Sequence, residues 1–98
     1  MSAEPEKALA KCRERIDSVD LQILALLNER TSIVEDVGRI KKQAGMAIYE
    51  PRREDQVFSN VTTNNSGPLP SEAVKRIFER IIDEMRKIQK DRMEEKGR

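Results

Sequence analysis

The sequence predicts an all-α fold: a three-helix protomer with one very long N-terminal helix, completed as an intertwined homodimer. Three observations carry that expectation. Apolar residues recur at steps of three and four along most of the 98 residues, the period of a helix buried on one side. The breakers proline and glycine gather at the joints between those runs. Charged residues make up 38% of the chain and aromatics 3%, a mix that favours helices and offers few bulky side chains for a compact core.

The first run contains Ile16, Val19, Ile23, Leu26, Leu27, Ile33, Val34, Val37 and Ile40 at helical spacing, with no proline after Pro5. One helix is therefore expected over about residues 3–44, with Gly38 a mild interior weakness and Gly45 placed to end it in a left-handed cap. Pro51 suits the first turn of a short second helix over about 50–63, carrying Val57, Phe58 and Val61 on one side. "NNSGPLP" is the strongest break in the chain. After it Ser71 and Glu72 open a third helix over about 71–93, whose stripe is Val74, Ile77, Phe78, Ile81, Ile82, Met85 and Ile88. Residues 1–98 read as a single domain with a frayed C-terminal tail.

The first helix forces the dimer expectation. Some 40 residues at about 1.5 Å each make a rod of roughly 60 Å, whereas a compact monomer of this length has a radius of gyration of only about 13 Å. Two shorter helices cannot cover such a rod, so its stripe is expected to pack against the same helix of a second chain.

Composition excludes several functions. The 19 basic and 18 acidic residues are interspersed, for a net charge of +1, so no global field draws the molecule to nucleic acid or an anionic membrane. A single cysteine, Cys12, and no histidine leave no metal-ligand cluster and no Ser-His or Cys-His nucleophile pair. No apolar run resembles a signal peptide or approaches the roughly 20 residues that cross a bilayer, and a cytoplasmic protein is the default.

Against this background several polar residues stand where apolar ones belong. With Arg30 as reference, Ile23 and Lys41 fall near about +20°, Val37 near about −20° and Leu26 near about −40°, so Arg30 and Lys41 share the middle of the buried stripe. In the third helix Gln89 lies about 20° from Phe78; in the second, Glu54 shares a face with Phe58 and Val61, with Arg53 beside it. On the residues alone two readings stand. Long side chains could snorkel to solvent or pair with Glu54, or the surplus of positive groups could line an internal pocket for a small, multiply anionic ligand, since unpaired buried charges are costly. Arg13 lies about 42 Å from Lys41 along one straight helix, so only a partner chain could bring the two to one ligand.

The set "CRERID", "LLNERTSIVEDVGRIKK", "IYEPRRED" and "GPLPSEAVKRIFERIID" followed by "IQ" at Gln89 resembles the all-helical, AroQ-class chorismate mutases over about residues 11–89. The resemblance implies a dimer with two active sites shared between chains, the Claisen rearrangement of chorismate to prephenate on the route to phenylalanine and tyrosine, and no metal or organic cofactor. It implies that Arg30 and the partner chain's Arg13 hold the two carboxylates, that Lys41 and Gln89 contact the ether oxygen, that Glu54 and the backbone at Glu50 hold the ring hydroxyl, and that Arg53 helps position the carboxylate end. Met85 stands where many members carry serine, which makes it pocket wall here. Glu50 stands where aspartate is common.

No fused dehydratase, dehydrogenase or synthase domain is expected. Two rivals remain: an isochorismate pyruvate lyase of the same fold, and a non-catalytic helical dimerisation or regulatory module. The "PRRE" turn and "GPLP" linker favour the mutase. A nucleic-acid-binding module fits least, given balanced charge and few aromatic platforms.

Overall fold

The computed structural model describes residues 3–96 and holds three helices: α1 (Ala3–Ala44), α2 (Pro51–Thr63) and α3 (Ser71–Lys96), with no strand among the described residues. The chain divides into two compact units, one ending at Ile33 and the other beginning at Val34.

The first unit is the leading stretch of α1 alone. Its residues Ile16, Val19, Ile23, Leu26 and Ile33 are between 48% and 63% exposed. With these side chains half or more exposed, propensity and backbone hydrogen bonding support the helix here.

The second unit joins the end of α1 to α2 and α3. Its apolar core is small: Val74, Ile82 and Met85 of α3 are buried, and Val57, Phe58 and Val61 of α2 are half-buried. Each fully buried aliphatic side chain contributes about 1.5–3 kcal/mol. Polar ties fasten the end of α1 to α3. Arg92 pairs with Glu35 at 2.8 Å, Lys42 Nζ donates to the Met93 carbonyl at 3.3 Å, and Gln89 Nε2 donates to the Val34 carbonyl at 3.1 Å. Gly38, read from sequence as a weakness, lies beside the Gln89 side chain of α3: a Cβ there would lie 3.6 Å from Gln89 Cγ, an ordinary van der Waals contact.

Helix ends follow from local chemistry. At the end of α1, Gly45 adopts φ +67°, its N–H bonds to the Lys42 carbonyl at 3.2 Å and the Met46 N–H bonds to the Lys41 carbonyl at 2.8 Å. This is the paired closure that satisfies the last carbonyls of a helix. Pro51 starts α2 without losing a useful donor, and Glu50, at the N-cap, makes no side-chain cap bond. Between α2 and α3, Asn65 Nδ2 donates to the Leu69 carbonyl at 2.7 Å and its Oδ1 accepts from the Gly67 N–H at 3.0 Å. Gly67 has φ +79°, and the Gly67–Pro68 bond is cis.

Gly45→Ala should place a Cβ in the left-handed region and destabilise the protein by about 1 kcal/mol, read as a lower urea midpoint with unchanged slope.

Candidate functional site

The polar set of the second unit centres on Lys41. Its side chain is buried, at 7% exposure, because it lies on the α1 face that meets the rest of the unit. An ammonium in that position needs acceptors. It donates to the Ile48 carbonyl at 2.8 Å and to Glu50 Oε1 at 2.7 Å. The loop between α1 and α2 is thereby wrapped around the lysine: the Lys41 carbonyl takes the Met46 N–H while its ammonium takes the next two groups along. An ammonium has three hydrogens, so one stays available to a ligand. Glu50 was expected to contribute through its backbone; its carboxylate is the counter-charge to Lys41 and makes no side-chain cap bond to α2.

Gln89 is the second buried polar group, at 8% exposure. One amide hydrogen goes to the Val34 carbonyl, and the other remains to be donated. Met85, one turn earlier on α3, is buried wall. A groove beside Gln89 is lined by Glu35, Gly38, Arg39, Lys42, Arg92 and Met93. It does not include Lys41, and Arg39, Lys42 and Arg92 each have partners in Asp36, the Met93 carbonyl and Glu35.

Glu54 is positioned by the first turn of α2, where its N–H bonds to the Glu50 carbonyl at 3.1 Å. Its ion-pair partner is neither Arg53 nor Lys41, as the sequence suggested, but Arg86 of α3, with Nη2 2.5 Å from Oε2. The guanidinium also lies 4.9 Å over the Tyr49 ring and 3.7 Å from Asp83. The hydrogen bond to Glu54 is the main cause that raises the Arg86 pKa above its ordinary value; burial works the other way. Arg53 Nη1 donates weakly to Gln56 at 3.4 Å, in an exposed position.

Arg13 and Arg30 belong to the first unit, where Arg13 is exposed and Arg30 half-buried. Arg86, Tyr49 and the Ile48 carbonyl are contributors that sequence reasoning missed. A signal existed for Arg86: it lies about 40° from Ile82 and about 60° from Gln89 around α3, on the flank of the buried stripe.

A buried ammonium and a buried carboxamide, each with a donor hydrogen beyond those its protein acceptors take, mark this helical unit. Comparison with known proteins identifies the class. Residues 12–90 match the model of the family described as chorismate mutase type II, and the chain belongs to that family. It is 38% identical over 84 residues to the bifunctional chorismate mutase/prephenate dehydratase of Neisseria gonorrhoeae, a match covering 86% of this chain and 23% of that protein. The chain thus spans less than a quarter of the length of that relative. It is 34% identical over 88 residues to the chorismate mutase of Methanocaldococcus jannaschii, covering 89% of each. Among solved structures it is similar to chorismate mutase from Helicobacter pylori in complex with prephenate, with a TM-score of 0.84, 25% identity and coverage of 91% of this chain and 97% of that one.

Proposed function

We propose that this chain catalyses the rearrangement of chorismate to prephenate as a homodimer whose two active sites each draw on both protomers. The observation that carries the reading is the buried pair Lys41 and Gln89, each held by protein acceptors with a hydrogen left over, in a chain of the type II family. The Helicobacter pylori relative, of the same fold, is in complex with prephenate.

The reaction is concerted: a C–O bond breaks as a C–C bond forms, with no base, nucleophile or covalent intermediate. The protein has two tasks. It must fold the substrate into the reactive chair, which Arg30 and the partner chain's arginine at position 13 do by gripping the two carboxylates, with Arg53 supporting that end. It must also stabilise the negative charge that builds on the ether oxygen as the C–O bond lengthens. Lys41 and Gln89 aim their remaining donors there, and because Ile48 and Glu50 already hold the ammonium, little reorganisation is needed at the moment of reaction. Glu54 and the backbone at Glu50 accept the ring hydroxyl, and Met85 closes the wall.

The dimer completes the site and covers the exposed stripe of the leading stretch of α1. Five large apolar side chains in a row along one helix are more than a soluble monomer usually leaves in water, and a second copy of the same stripe is the self-complementary surface a twofold axis provides.

Purified protein given chorismate should consume its ultraviolet absorbance and yield prephenate by chromatography; in a parallel assay on isochorismate, release of salicylate with pyruvate would instead identify the lyase, and no turnover of chorismate by folded protein would sink the reading. Gln89→Leu should lower kcat by about a hundredfold, corresponding to the loss of one such donor. Arg13→Ala and Lys41→Ala proteins, each inactive alone, should regain activity when unfolded and refolded together, because one site of each mixed dimer holds both native residues. Recovery of none would show that the sites are not shared.

A further inference from the structure

Arg86 is a charged side chain that the reading above does not use. It sits on the flank of α3, three residues before Gln89 and next to Met85, and it reaches three segments at once. Nη2 meets Glu54 Oε2 on α2 at 2.5 Å, the guanidinium plane lies 4.9 Å over the Tyr49 ring in the loop before α2, and Nη1 is 3.7 Å from Asp83 on its own helix. Its Nε is buried and has no hydrogen-bond partner among the described residues. The arrangement is too specific for a solvated surface arginine, whose long stem would otherwise lose rotamer freedom for little return.

We propose that Arg86 is a positioning residue that makes Glu54 usable as the acceptor for the substrate's ring hydroxyl, an inference that rests on the proposed function. A carboxylate facing a doubly anionic substrate repels it unless a positive group compensates. Lys41 does not serve that task, since two of its hydrogens go to Ile48 and Glu50 and the third is the one assigned to the ether oxygen. Arg86 supplies the compensation from behind. By taking Oε2 it also fixes the rotation of the carboxylate and leaves Oε1 to accept a hydroxyl hydrogen. Tyr49, whose ring centroid lies 4.9 Å from Arg86 Cζ, attracts the guanidinium and helps hold the donor in place, so the hydroxyl end of the site is set by a relay from loop to α3 to α2. Arg86 does not touch the reacting atoms; it acts through Glu54.

The test compares chorismate with an analogue that lacks the ring hydroxyl, using the parent protein, Arg86→Met, Arg86→Lys and Glu54→Gln, with folding checked by circular dichroism and gel filtration. In Arg86→Met, the ratio of kcat/KM for chorismate to kcat/KM for the analogue should fall about tenfold, as expected when a hydroxyl-reading group is misplaced. Glu54→Gln should lower the same ratio, and Arg86→Lys, which keeps charge and stem, should recover part of it. A structural clamp between α2 and α3 would lower both substrates alike and leave the ratio unchanged, and that result overturns the proposal. Should Arg86→Met fail to fold, Arg86→Gln, which keeps a polar stem without the charge, decides: a ratio equal to the parent's overturns the proposal, and a fall supports it. A parent protein without activity on chorismate would overturn the underlying reading instead, so the two failures are distinct.

Discussion

The ammonium of Lys41 is the constraint around which the second unit is arranged. A buried unpaired ammonium costs several kcal/mol, so the chain next to it must provide acceptors, and it does so within nine residues. The same residue closes α1 through its backbone carbonyl and holds Ile48 and Glu50 through its side chain. Glu50, occupied in this way, makes no side-chain cap bond to α2, and Pro51, which has no N–H to satisfy, begins that helix. The turn, the start of α2 and hence the place of Glu54 all follow from keeping one positive charge inside.

The remaining polar groups obey the same logic. Gln89 packs beside Gly38 and is held by the Val34 carbonyl. Glu54 is tolerated because Arg86 faces it. Such groups stabilise the fold less than apolar side chains of the same volume would, and with few buried apolar residues the second unit has little stability to spare. That small apolar core agrees with the proposed dimer, in which a second chain would add apolar burial.

The helical class was legible because the apolar spacing is regular and the breakers are confined to two places, so local preference and pattern agree. Lys41 and Gln89 stood out for a related reason: each interrupts an apolar stripe near its centre, where a polar side chain has no easy route to water. Arg86 was not legible in the same way. It lies at the edge of its stripe, a position where arginine is ordinary, and its significance comes from contacts with Tyr49 and Glu54, 37 and 32 residues away in the chain, that no helical wheel displays. The role of the Glu50 carboxylate was hidden likewise, because pairing with Lys41 depends on the path of the loop. Spacing along a helix reveals which face a residue takes; it does not reveal what another segment brings to that face.

The central claim is that Lys41 acts on charge that appears only as the ether bond breaks. The most direct measurement is the steady-state kinetics of Lys41→Met on chorismate together with its affinity for a bicyclic ether dicarboxylate shaped like the transition state. Both kcat/KM and affinity for the analogue should fall by the same factor, about a hundredfold or more, while KM changes little. A variant with KM raised and kcat intact would contradict it, because Lys41 would then be holding the substrate rather than the transition state.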